Sequence, residues 1–209
     1  QMDQLIEFAF TVILISASGV MMPGPLFVAN MTYGLQGVRR AGIKMAIGHT
    51  IVELPLVILL GVGVFSFEIF PEFRTIISIL GAMVLFVFAG IQVKTTLQTK
   101  EKTSFNLKHN AIITGIILSA LNPFFIIWWL SIGLKLISDA MLMWSFVGIS
   151  AVFVFHIWMD FVWLYSTGRF ASKSSKILSN RNYKILMISL SVMLIYFGIS
   201  FIVDGLTAV

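Results

Sequence analysis

A histidine followed four residues later by a carboxylate occurs twice in this chain, as His49…Glu53 and as His156…Asp160. On a helix that spacing puts both side chains on one face, a turn apart. All four sit inside long apolar runs, and Glu53 and Asp160 are the carboxylates placed well within them. At a rise of about 1.5 Å per residue, Glu53 lies roughly 14 Å beyond Lys44 and Asp160 about as far before Arg169, so the two acids are level. A charge at mid-span costs at least about 2.5–3.5 kcal/mol, so each acid needs a partner or a wet cavity. Two histidines and two carboxylates could hold a divalent metal ion if their segments meet. They could equally pass a proton, because histidine titrates near neutral pH, or receive an ammonium group. The plainer alternative is that each acid is neutral or paired for structural reasons, and spacing alone does not choose.

The second chemical feature belongs to the backbone. Pro23-Gly24-Pro25 interrupts the apolar run 5–35, and Asn122-Pro123 interrupts the run 111–134. Proline lacks an N–H and clashes with the carbonyl one turn earlier, so a regular helix does not pass straight through. The half-helix that restarts after a break presents N–H groups that favour a carboxylate. One isolated proline reads most simply as a packing kink. Two breaks in matched positions point instead to a binding site at interrupted spans. A zwitterion suits the combination, with its ammonium on Glu53 or Asp160 and its carboxylate on the amides after Pro25 or Pro123. The candidate binding residues are His49, Glu53, His156, Asp160, Pro23, Gly24, Pro25, Asn122 and Pro123, with proton coupling at Glu53 and Asp160. The competing metal site would use His49, Glu53, His156 and Asp160.

The frame around these groups is apolar. Of 209 residues 58% are hydrophobic and 11% charged, against soluble averages of about 45–50% and about 25%. A soluble domain could not hide that surface, so the chain is an integral membrane protein. Runs 5–35, 43–67, 75–93, 111–134, 141–168 and 183–205 each reach the about 20 residues that a roughly 30 Å hydrocarbon core requires. The first run follows Asp3 and Glu7 and is too long for a cleaved signal. The expected fold is all-α, six transmembrane helices in one domain over residues 1–209, with breaks at Pro23-Gly24-Pro25 and at Pro123. Pro25 then Gly34, and Pro123 then Gly133, repeat a pattern that the two histidine–acid pairs extend. This predicts two three-helix halves, 5–97 and 108–206, and an odd number of spans inverts one relative to the other.

A net charge of +5 could indicate nucleic acid, but the basic residues lie between apolar runs and report orientation instead. Arg39, Arg40 and Lys44, then Lys94, Lys100, Lys102 and Lys108, then Arg169, Lys173, Lys176, Arg181 and Lys184 make twelve of the fourteen lysines and arginines. Arg74 and Lys135 share the other side with Asp3, Glu7, Glu68, Glu72, Asp139 and Asp204. Both termini are therefore expected outside the cytoplasm, in a prokaryotic inner membrane. The partners are the lipid bilayer and a small molecule, with no nucleic acid; the glycine-bearing spans (Gly61, Gly63, Gly81, Gly90) leave room for close helix approach and a homodimer. Without cysteine there is no disulfide, thiolate metal site or thiol redox chemistry. Without a Walker motif or dinucleotide fingerprint, no cofactor is implied, and uphill transport must draw on an ion gradient. The five tryptophans read as packing or interfacial residues, with Trp129 or Trp163 free to line a cavity. The methionines read as filler, and His109 stands alone in a basic loop.

Gly19-Val20-Met21-Met22-Pro23-Gly24-Pro25 resembles the proline-glycine-proline signature of the LysE/RhtB amino-acid exporters. Gly48-His49, Leu80-Gly81-Ala82 with Gly90-Ile91, and Leu121-Asn122-Pro123 look like further family positions in the same order. The resemblance implies a six-span exporter of amino acids or related metabolites, built as inverted halves and driven by the proton-motive force. The chain departs from the pattern at Phe124, where many members carry lysine, and at Leu26, where a polar residue is common. Both changes make the site more apolar and leave the cargo open between a basic amino acid, which two acidic groups would suit, and a neutral one. The resulting expectation is a secondary exporter of a zwitterion and not an enzyme, with a divalent-metal exporter as the alternative. A membrane enzyme or redox carrier finds no nucleophile–base pair, and a mere scaffold would not need matched breaks and matched acids.

Overall fold

The structure, a computed structural model, describes residues 2–38, 40–63, 70–98 and 110–207, and among them there is no strand. The chain forms α1 (Met2–Val20), α2 (Pro25–Leu35), α3 (Ala41–Gly61), α4 (Phe70–Gln98), α5 (Ala111–Ala120), α6 (Pro123–Trp128), a π-helical turn (Trp129–Gly133), α7 (Leu134–Trp144), α8 (Val147–Ile177) and α9 (Asn180–Thr207). Among the described residues five stretches are long and apolar enough to cross a membrane: α3, Thr75–Gln98 of α4, Pro123–Trp144, α8 and α9. Gln4–Val20 and Pro25–Leu35, bent by 70° at the break, pass the same test as a pair, which makes six where the pair is one broken span rather than a re-entrant loop. The protein is an all-α membrane protein.

Both expected breaks are present, each with its proline as the first residue of the restarted helix. The boundary after the second break differs from expectation. Lys135 and Asp139 read as a connection between spans ending at 134 and starting at 141. In the structure they stand one turn apart on α7 and pair at 2.8 Å, so the helix runs on to Trp144. The chain turns instead at Ser145, whose φ is 51°.

α3 and α8 run antiparallel through the middle, with Gly42 against Leu164 near one end and Gly61 against Ile149 near the other. α2 packs on α8, α5 on α3, and α4 on α9. The helix after the first break and the helix before the second thus lean on the two central helices, α8 and α3. A Cβ on Gly48 would collide with the Ile112 carbonyl, so α3 and α5 touch backbone to backbone there. Gly81 likewise lies against the Leu121 carbonyl, whereas Gly90 has no neighbour that a Cβ would meet and Gly63 takes a φ of 74° after α3. Two apolar clusters are packed apart, one around Tyr33, Met45 and Leu194, the other around Val12, Trp129 and Ile137. Of the residues that carried the orientation, Arg39, Glu68, Lys100, Lys102 and Lys108 lie outside the described residues, as does His109; so do the side chains of Asp3, Glu72, Arg74 and Asp204.

Candidate functional site

The question left open by spacing, whether the second and fifth spans meet, is answered by α3 against α8. His49, Glu53, His156 and Asp160 form one buried quartet, and Glu53 is 0% exposed. Glu53 Oε1 is its hub. His156 Nε2 lies 3.1 Å from that oxygen and 3.3 Å from Asp160 Oδ2. Trp129 Nε1 donates to the same Glu53 oxygen at 3.1 Å. His49 Nε2 stands farther off, 3.5 Å from Glu53 Oε1 and 3.8 Å from Asp160 Oδ1, beyond ordinary hydrogen-bond length.

Ser119 accounts for the orientation of His49. Its hydroxyl donates to the Gly115 carbonyl at 2.7 Å, so its oxygen accepts from His49 Nδ1, also at 2.7 Å. Nε2 is then the nitrogen that gains and loses the proton. When Nε2 is bare, a ring nitrogen and two carboxylates converge, and ligand atoms of His49, Glu53 and Asp160 all lie within 4.8 Å of one another. Such a triangle of acceptors calls for a cation at its centre, whether a proton, an ammonium or a metal ion. Protonation of Nε2 supplies that cation internally.

The two breaks flank this quartet. Gly24 begins α2 with no side-chain cap, and the amides of Leu26 and Phe27 follow the N–H-less Pro25. Asn122 caps α6 itself, accepting from the amides of Phe124 and Phe125 at 3.1 and 3.3 Å. A cavity of about 530 Å³ joins the parts and is of the size that takes small molecules. Its wall includes Gly24, Pro25, Asn122 and all four quartet residues. Pro23 and Pro123 are not among the lining residues; Pro123 is buried at the start of α6, where it sets the restart of the helix. Trp129 and Trp163, read from the sequence as free to line a cavity, both do so, but that Trp129, with Ser119, holds the quartet did not stand out. A serine or tryptophan in an apolar run has many plain uses, although the π turn that begins at Trp129 is a local irregularity of the kind that gathers at functional sites.

The family described as LysE type translocator matches residues 17–205. No curated protein and no solved structure matches the chain.

Proposed function

The chain belongs to the LysE type translocator family and is a membrane exporter; on that premise we propose that it exports an amino acid or a related zwitterion, in exchange for protons. The observation that carries this reading is a single cavity that joins an acceptor triangle to an uncapped helix N-terminus. The cargo's ammonium takes the place between His49 Nε2, Glu53 and Asp160. Its carboxylate takes the amides of Leu26 and Phe27, where the helix dipole favours negative charge. Proton and ammonium exclude each other at the triangle, so loading the cargo releases a proton and unloading it takes one up. Glu53, Asp160 and His49 carry that exchange. The two halves, 5–97 and 108–206, rock against each other to expose the cavity alternately, in a prokaryotic cytoplasmic membrane with both termini outside.

A second reading, export of a divalent metal ion, is favoured by the same grouping of His49, Glu53 and Asp160. It is less well served by Glu53 Oε1, which already accepts from an indole N–H that can ligate nothing. Thermal stabilisation of the purified full chain separates the two, since a ligand of the folded state raises stability by mass action. Amino acids should stabilise, with the effect lost in Glu53→Gln and Asp160→Asn. Proteoliposome transport should fall to background in both variants while each stays folded and inserted. Stabilisation by divalent metals alone, lost in His49→Ala or His156→Ala, would install the metal reading instead.

A further inference from the structure

Beside the neutral polar groups of Ser119, Asn122, Ser131 and Ser200, the cavity wall carries one charged and one large aromatic surface, and their separation bears on the cargo's side chain. Among the described residues, all the charged ones of the wall belong to the quartet. Their acids serve one cationic centre, because the ligand atoms of Glu53 and Asp160 lie within the same 4.8 Å group. Among the described residues the wall holds no other carboxylate and no lysine or arginine.

Much of the remainder is aromatic. Phe27, Phe125, Trp128, Trp163 and Phe197 line the cavity, each part-buried rather than packed away. Phe27 and Trp163 lie nearly parallel, with ring centroids 6.0 Å apart and planes 20° apart. Phe27 belongs to the uncapped first turn of α2, so rings and amides share one element. Phe125 stands edge-on to His49 at 4.9 Å, and Trp128 is tilted against His156 at 5.4 Å. The aromatic surface therefore begins where the charged surface stops. Rings of this kind offer broad apolar area and a preference for other rings, stacked or edge-on.

We propose that the site selects amino acids with a large apolar side chain, aromatic ones above all, and discriminates against lysine and arginine. The inference rests on the amino-acid reading given above. A second cation on the cargo would shed its hydration in this wall without meeting a second anion, and a small side chain would leave the rings uncovered.

The test is binding of phenylalanine, tryptophan, leucine, alanine, lysine and arginine to the purified full chain in detergent, by calorimetry. Phenylalanine and tryptophan should bind tightest, leucine next, and alanine, lysine and arginine at least tenfold more weakly. In Trp163→Leu, phenylalanine should lose about tenfold relative to leucine, the scale of one aromatic pair. Lysine, arginine or alanine binding as tightly as phenylalanine would overturn this selectivity while leaving the amino-acid reading in place. Absence of binding by every amino acid, from a chain that elutes folded, would overturn that reading and the selectivity with it. Should Trp163→Leu fail to fold, the order of affinities in the unaltered chain decides.

Discussion

The two breaks in the first and fourth spans look alike along the chain and differ in what they leave free. In both, an extended residue precedes a helix that opens on proline. At the second break that residue is Asn122, whose side chain consumes the amides of Phe124 and Phe125. At the first it is Gly24, which has nothing to offer the amides of Leu26 and Phe27. A helix start must satisfy its N–H groups from somewhere. The second break does so from its own sequence; the first does not, and in the proposed function the cargo's carboxylate supplies the partner. Similar backbone events thus yield one self-capped helix start and one uncapped one, and the proposed export site places its anion at the second kind.

The largest effect should come from making the first break resemble the second. The Cβ position of Gly24 has no neighbour closer than the Met22 carbonyl at 4.0 Å, and its φ of −98° admits any residue. Gly24→Asp should fold, cap α2, and place a carboxylate where the cargo's would sit. Affinity should fall by about a hundredfold, roughly 2.7 kcal/mol; Gly24→Asn, a neutral competitor, should cost about tenfold. Equilibrium binding of the best amino-acid ligand checks both. Unchanged affinity in Gly24→Asp would mean that the carboxylate does not use the first break.

Much of this site was legible because it violates its surroundings. Four ionisable residues in apolar runs, at helical spacing, announce a cluster before any packing is known, and the structure brings all four within 3.1 to 3.8 Å contacts. Proline was a less direct guide. Pro55 sits inside α3 without ending it, whereas Pro25 and Pro123 open helices, and what marked the latter two was their matched placement. Of the orienting residues, Trp129 was legible only as a candidate for lining a cavity, and the serine was not legible at all. Ser119 matters because Gly48 and Gly115 let α3 and α5 touch, and that is a property of two helices rather than one. Lys135 and Asp139 misled for a related reason: polarity signalled a loop, but an i,i+4 pair satisfies both on a helix surface.

A smaller but still large effect should come from Trp129, which sharpens the contrast between the halves. After the first break, α2 continues regularly to Leu35; after the second, the π turn Trp129–Gly133 intervenes. Gly133 packs beneath the Trp129 ring, where a Cβ would collide, and the indole N–H is thereby delivered to Glu53. Trp129→Phe keeps most of the ring and removes the donor. Stability should drop by about 1.5–3 kcal/mol, the range for a hydrogen bond to a charged group, as measured by denaturant unfolding in detergent. A loss no greater than about 0.5 kcal/mol would show that Glu53 does not depend on this donor.

The smallest effect separates structure from binding at the second break. Asn122→Ala removes a cap and exposes the amides of Phe124 and Phe125, which should cost about 1 kcal/mol of stability, within the roughly 0.5–2 kcal/mol seen for such caps. Because those amides serve α6 and not the cargo, amino-acid affinity should change by less than about threefold, or 0.7 kcal/mol. The same two measurements on Gly24→Asn should move in the opposite sense, with stability level or slightly higher and affinity lower. Asn122 lines the cavity, so the result is not settled by distance. If Asn122→Ala instead binds tighter at reduced stability, the uncovered amides have become a second anion site, and the asymmetry lies in the choice of one residue rather than in the frame. If it binds far more weakly with stability intact, the asparagine touches the cargo, and the roles assigned to the two breaks must be exchanged.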